Sequence, residues 1–145
     1  MDGVVCDSAT HQTDFVYLLD TIRGNHLVSV VFSRISYLIT VNTTVGGNVN
    51  VAGATPQGQN QYLAYYGDVV RFTIAPETGY YTDSLIVNAV SQTQLDEYVI
   101  NGITDNYDVF AKFAMYQFSI IVNHNDLGNV VPSTAQNINY FDTAS

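Results

Sequence analysis

Apolar residues recur at every second position along most of this chain. Tyr37, Ile39 and Val41 share one face, as do Val28, Val30 and Phe32, and again Val109, Ala111 and Phe113. A period of two is the signature of a strand with one face buried. It predicts strands over Phe15–Leu19, Leu27–Phe32, Tyr37–Val41, Val49–Val51, Tyr62–Tyr66, Val69–Ile74, Asp83–Val90, Glu97–Asn101, Asp108–Ala114 and Tyr116–Val122. Breakers separate these runs: Arg23-Gly24-Asn25, Gly46-Gly47-Asn48, the loop Ala52–Asn60, and Ala75-Pro76-Glu77-Thr78-Gly79-Tyr80. Gly and Asn tolerate positive φ, and Pro pre-sets the first corner of a turn. No stretch has the 3.6-residue period of an amphipathic helix. About six strands per unit, with turns at short intervals, predict an all-β fold: a small antiparallel β-sandwich or open barrel.

The pattern also repeats. Shifted by 81 residues, Tyr17–Asn50 falls on Tyr98–Val131 without a gap, and eleven of the 34 positions are identical, among them Asn25/Asn106, Val28/Val109, Phe32/Phe113, Ile39/Ile120 and Val41/Val122. The chain therefore divides into residues 1–35, the back part of one repeat; 36–114, a complete repeat; and 115–145, the front part of a third. Self-similarity of this kind points to tandem modules that stabilise one another by stacking.

One group of residues carries a family resemblance. Tyr37-x-Ile39-x-Val41, Gly46-Gly47-x-Val49, Tyr66-Gly67-Asp68-x-Val70-x-Phe72-Thr73-Ile74-x-Pro76-x-x-Gly79-Tyr80 and Leu85-x-Val87-Asn88 resemble the divergent B-repeat of the internalin type, as does the run from Ile103-Thr104 to Val109-x-Ala111-x-Phe113. Such repeats stand in tandem in large bacterial surface and secreted proteins. The chain departs from the pattern at Ala89, where glycine is usual, and at Phe141, which stands where the complete copy has Gly67. The resemblance implies an exported, non-enzymatic spacer or adhesion module, and it transfers no catalytic residue.

Composition narrows the partners. The chain is 47 % apolar but only 12 % charged, so its surface is polar through Asn, Thr, Ser, Gln and Tyr. A net charge of −9 with a single lysine, Lys112, repels phosphate backbones and anionic lipid. No nucleic-acid partner is expected. No apolar run reaches the length of a spanning helix, so no membrane insertion is expected either. Cys6 has no second cysteine to pair with. Met1–Cys6 lacks the basic and apolar stretches of a signal peptide, so a mature fragment or a window of a longer array is expected. The location expected for the protein is extracellular or on a cell surface.

Candidate chemistry is sparse. His11, His26 and His124 have different residues or a gap at their repeat counterparts and form no common site. Asn123-His124-Asn125-Asp126-Leu127-Gly128 and Asp105-Asn106-Tyr107-Asp108 offer oxygen ligands at loop spacing, but Asn and Asp are favoured in turns for backbone reasons, and the turn reading is preferred. Asn42-Thr43-Thr44 is a formal glycosylation sequon. No catalytic residue, metal or cofactor is assigned. Tyr62, Tyr65, Tyr66, Tyr80 and Tyr81 cluster in sequence and form the candidate interaction surface, for a surface glycan or a protein. The remaining expectation concerns the partial repeats. Unpaired strand edges invite pairing, so the expected partner is the chain itself: either the next subunit, head to tail by strand complementation, or a neighbouring repeat of the longer array from which the partial copies are cut, with strands shared between copies as a further alternative. The function expected is a stalk, spacer or filament module, with an adhesion module as the alternative.

Overall fold

The computed structural model describes residues 22–27, 29, 31–93, 96–124, 127–128 and 135–143. The chain forms two compact units, Met1–Phe32 and Ser33–Ser145. Among the described residues eleven strands follow in order, all in the second unit. They are β1 (Ser36–Thr43), β2 (Gly47–Ala52), β3 (Thr55–Gly58), β4 (Gln61–Tyr65), β5 (Val69–Pro76), β6 (Tyr80–Val87), β7 (Val90–Ser91), β8 (Glu97–Asn101), β9 (Tyr107–Met115), β10 (Gln117–Ile120) and β11 (Gln136–Asn139). The fold class is all-β, as the alternation predicts. Six strands pair in the order β3-β4-β1-β9-β6-β7, three in the order β2-β5-β8, and β10 pairs with β11.

The two larger sheets bury one core. Ile39 and Val41 of β1, Ala64 of β4, Leu85 and Val87 of β6, and Val109, Ala111 and Phe113 of β9 come from the six-stranded sheet. Val70, Phe72 and Ile74 of β5, Ile100 of β8, and Ile103 just after it come from the smaller sheet. Along β5 and β9 the buried positions alternate with exposed or half-buried ones, which is what a strand with one buried face requires. Phe72 is the largest side chain with no exposure at all.

Several details differ from the sequence expectation. Pairing is antiparallel except between β1 and β9, which run parallel as neighbours in the middle of the larger sheet. Parallel neighbours need a long crossover, and here the rest of the unit supplies it. The loop expected over residues 52–60 contains β3, an edge strand that pairs with β4 through an irregular register. A proline and an exposed edge weaken the strand signal there. The strand expected from Asp83 begins at Tyr80, because the bulge at Thr82–Ser84 breaks its alternation. With β3 and the two-residue β7 beside the seven runs expected there, nine strands lie between Ser36 and Met115.

In the first unit, the strand expected over Leu27–Phe32 is not formed at the described residues. Leu27, Val31 and Phe32 are 95 %, 86 % and 81 % exposed and lie in no strand. Its repeat counterpart, β9, is held between β1 and β6. Among the described residues of the first unit there is no strand to supply such a ladder, and a lone strand is not stable in water. The strand expected over Phe15–Leu19 lies outside the described residues, as do Cys6 and His11.

Candidate functional site

The tyrosines do not converge. Tyr65 pairs with Ser36, four residues before Thr40, and Thr40 pairs with Asp108 of β9. Tyr81 pairs with Ala114, six residues after Asp108. Ten rungs of strand therefore separate them, roughly 33 Å at about 3.3 Å per residue. Tyr62 and Tyr80 are half-buried and pack against the core. Tyr66 and Tyr81 are exposed, at opposite ends of the sheet. The unit thus has a leading end, where β1 starts, and a trailing end, where β9 finishes.

At the leading end, Asp68 closes a turn. Its Oδ2 accepts from the Tyr65 backbone N–H at 2.9 Å, and its Oδ1 lies 3.3 Å from the Arg34 guanidinium. Arg34 also sits 4.0 Å above the Tyr65 ring. The Tyr66 N–H donates to Ile35 O at 2.9 Å, and the Asp68 N–H to Tyr65 O at 2.9 Å, with Gly67 between them at φ 83°.

At the trailing end the same turn is built again. β10 and β11 pair as Gln117↔Asn139, Phe118↔Ile138, Ser119↔Asn137 and Ile120↔Gln136. β1 and β4 pair as Ser36↔Tyr65, Tyr37↔Ala64, Leu38↔Leu63 and Ile39↔Tyr62. The first strands are offset by 81 residues and the second by 74, so the later hairpin has a loop shorter by seven. Its turn carries the same bonds, Tyr140 N–H to Tyr116 O at 3.0 Å and Asp142 N–H to Asn139 O at 3.1 Å. Phe141 holds φ 69° where Gly67 holds 83°.

This hairpin docks on the unit before it. The Tyr116 N–H donates to Gly79 O at 2.9 Å, and the Tyr81 and Tyr116 rings lie 5.1 Å apart. A Cβ on Gly79 would stand 2.5 Å from the Tyr140 ring, so the glycine is the seat for that tyrosine. In the sequence Gly79 reads only as a turn residue and Tyr116 only as the start of a strand, and neither they nor Tyr140 read as a contact between hairpins. Tyr140 and Phe141 align with Tyr66 and Gly67 at offset 74, and that alignment is the signal that could have found them.

A shallow groove of about 330 Å³ crosses the outer face of the larger sheet, over Leu38, Thr40, Asn42, Asn88, Asn106 and Asp108. Its amides serve the fold. Asn88 Oδ1 accepts from the Asp108 N–H at 2.8 Å, and Asn106 Oδ1 from the Leu38 N–H at 2.8 Å. Asp105 Oδ1 accepts from the Asn106 N–H at 2.7 Å, a turn contact in the second stretch weighed for calcium. Asn125 and Asp126 of the first stretch lie outside the described residues. Among the described residues no three His, Cys, Asp or Glu side chains gather closely enough to hold a metal ion.

Comparison with family models, with curated proteins and with solved structures gives no match to this chain.

Proposed function

We propose that the chain is a non-catalytic structural module of an extracellular surface protein or filament, a spacer whose units follow one another in a line. The observation that carries this reading is the trailing end. β10 starts two residues after β9 finishes, and it begins a second copy of the hairpin that opens the unit. The complete unit starts at one end of its long sheet and hands over to the next hairpin at the other. A repeat that contacts only its neighbours and advances along one axis is the geometry of a solenoid or stalk. The resemblance of the Tyr66–Tyr80 block to internalin-type B-repeats supports the same reading.

A second reading, an adhesion module for a glycan or protein, draws support from the 59 % exposure of Tyr66. Its distance from Tyr81 divides the patch, so each tyrosine would act alone.

Small-angle scattering of the dilute chain, beside glycan-array binding, tests the choice. A spacer gives a rod-like cross-section regime and no glycan retention. A curve without a rod regime overturns it, and so does glycan binding that disappears in Tyr66→Ala.

A further inference from the structure

We propose that the free edge of β10 accepts residues 25–34 of a second copy of this chain, as a parallel strand in the place that β9 holds beside β1. The proposal rests on the spacer reading above and names the partner that continues the line.

Inside the complete unit, β1 has two neighbours. β4 runs antiparallel on one side, and β9 runs parallel on the other, with Ile39↔Tyr107 and Val41↔Val109. β10 has the first of these, β11, in the same register. Its sheet has only those two strands among the described residues. The consequence shows at the side chains. Ile39 has no exposure, whereas its counterpart Ile120 is 37 % exposed, with Phe118 at 52 % and Ile121 at 71 %. An open strand edge beside an uncovered apolar face is a template for one more strand.

The repeat names the strand that fits. Residues 25–34 align with residues 106–115, with Asn25/Asn106, Val28/Val109 and Phe32/Phe113 identical. None of the described residues of this segment lies in a strand, and Leu27, Val31 and Phe32 are exposed at 95 %, 86 % and 81 %. Carrying over the β1–β9 register sets His26 opposite Ile120 and Leu27 opposite Ile121.

The strand must come from another copy. Arg34 is two residues from the start of β1 and bonded to Asp68 at the leading end. The carried-over register places Arg34 beyond His124, past the trailing end, roughly 33 Å or more away at about 3.3 Å per residue. The chain cannot reach its own β10 without unpairing β1. A second copy docked there presents its own β10 in turn, so the contact propagates as an open head-to-tail line.

The joint has no counterpart of Phe72–Ile86 in either segment, so it lacks most of the β5 and β6 equivalents and the phenyl ring at the centre of the complete core. Assembly is therefore concentration-dependent rather than obligate. Copies with a net charge of −9 repel one another, so added salt promotes it.

Sedimentation of the full chain over a concentration series, at low and raised salt, tests the joint. The wild type should form end-to-end oligomers. Ile120→Lys removes the acceptor and Phe32→Asp the donor. Both sites are exposed in the monomer, so the thermal unfolding of the complete unit should be unchanged. Each variant alone should stay monomeric, and a mixture of the two should stop at a 1:1 pair. A peptide of residues 22–35 should dissolve wild-type oligomers. A wild type that stays monomeric at its solubility limit overturns the proposal, as does assembly that survives either variant or ignores the peptide. A rod-like monomer would leave the spacer reading standing with this joint removed. A compact monomer would remove both.

Discussion

Two turns show what one residue does here. Gly67 and Phe141 occupy equivalent corners with φ of 83° and 69°. An L-residue pays about 1–2 kcal/mol for the left-handed region. A Cβ on Gly67 would meet nothing within 4 Å, so the cost of Gly67→Ala is that backbone term alone. Urea denaturation should show a loss of about 1–2 kcal/mol with an unchanged slope. Phe141 carries the same strain and recovers part of it where its ring meets Tyr140 at a centroid distance of 4.3 Å. The need for a turn at Tyr66-Gly67-Asp68 was legible in sequence, because glycine beside aspartate is turn chemistry. The strained Phe141 was visible only as a departure from the pattern. That it keeps the left-handed corner follows from the two backbone bonds that close the turn on either side of it.

At the scale of elements, β5 and β9 hold the unit together. β5 is the middle strand of its sheet, and every buried residue on it faces the core. Phe72→Ala should cost about 3–5 kcal/mol, read as a lower denaturation midpoint, because a fully buried ring leaves a cavity. β9 is flanked on both sides, and just beyond the end of β1, Thr44 extends the contact. Its Oγ1 accepts from the Phe113 N–H at 2.9 Å. On the outer face of β9, Lys112 meets Asp83, the bulge residue of β6, at 2.8 Å. That hydrogen bond, and then the carboxylate charge, hold the Lys112 ammonium above the ordinary lysine value. A raised folded value means the pair's contribution is fully present below the ordinary lysine range and is lost as pH rises through the folded value. The stability difference between wild type and Lys112→Met should therefore stay constant through neutral pH and shrink only in the alkaline range above the ordinary lysine value, measured by urea denaturation along a pH series. Strand positions were legible because alternation marks a half-buried strand wherever it runs unbroken. β3 and the start of β6 were not, since a proline, a bulge and an exposed edge each interrupt that alternation.

At the scale of the whole molecule, the proposed joint makes an axial advance of two units per chain, one complete and one composite. The strand rise puts that advance at roughly 85 Å, about 3.3 Å for each of the thirteen or so rungs from Ser36 to its equivalent Gln117. Negative-stain images of wild-type oligomers should show this spacing, and lines without an axial repeat would contradict it. The sequence by itself determined the all-β class, the 81-residue period, the turns and the core faces of β1 and β9, because alternation and turn chemistry are local and the repeat prints them again. Only the tertiary structure decided which strands are neighbours. The parallel β1–β9 pair joins residues about seventy apart, and no local pattern reports it. The same pairing decided that tyrosines adjacent in sequence stand at opposite ends of the sheet, since position along a sheet is set by register across strands. It also made Gly79 a seat for Tyr140, a contact that exists only once the next hairpin begins where β9 ends.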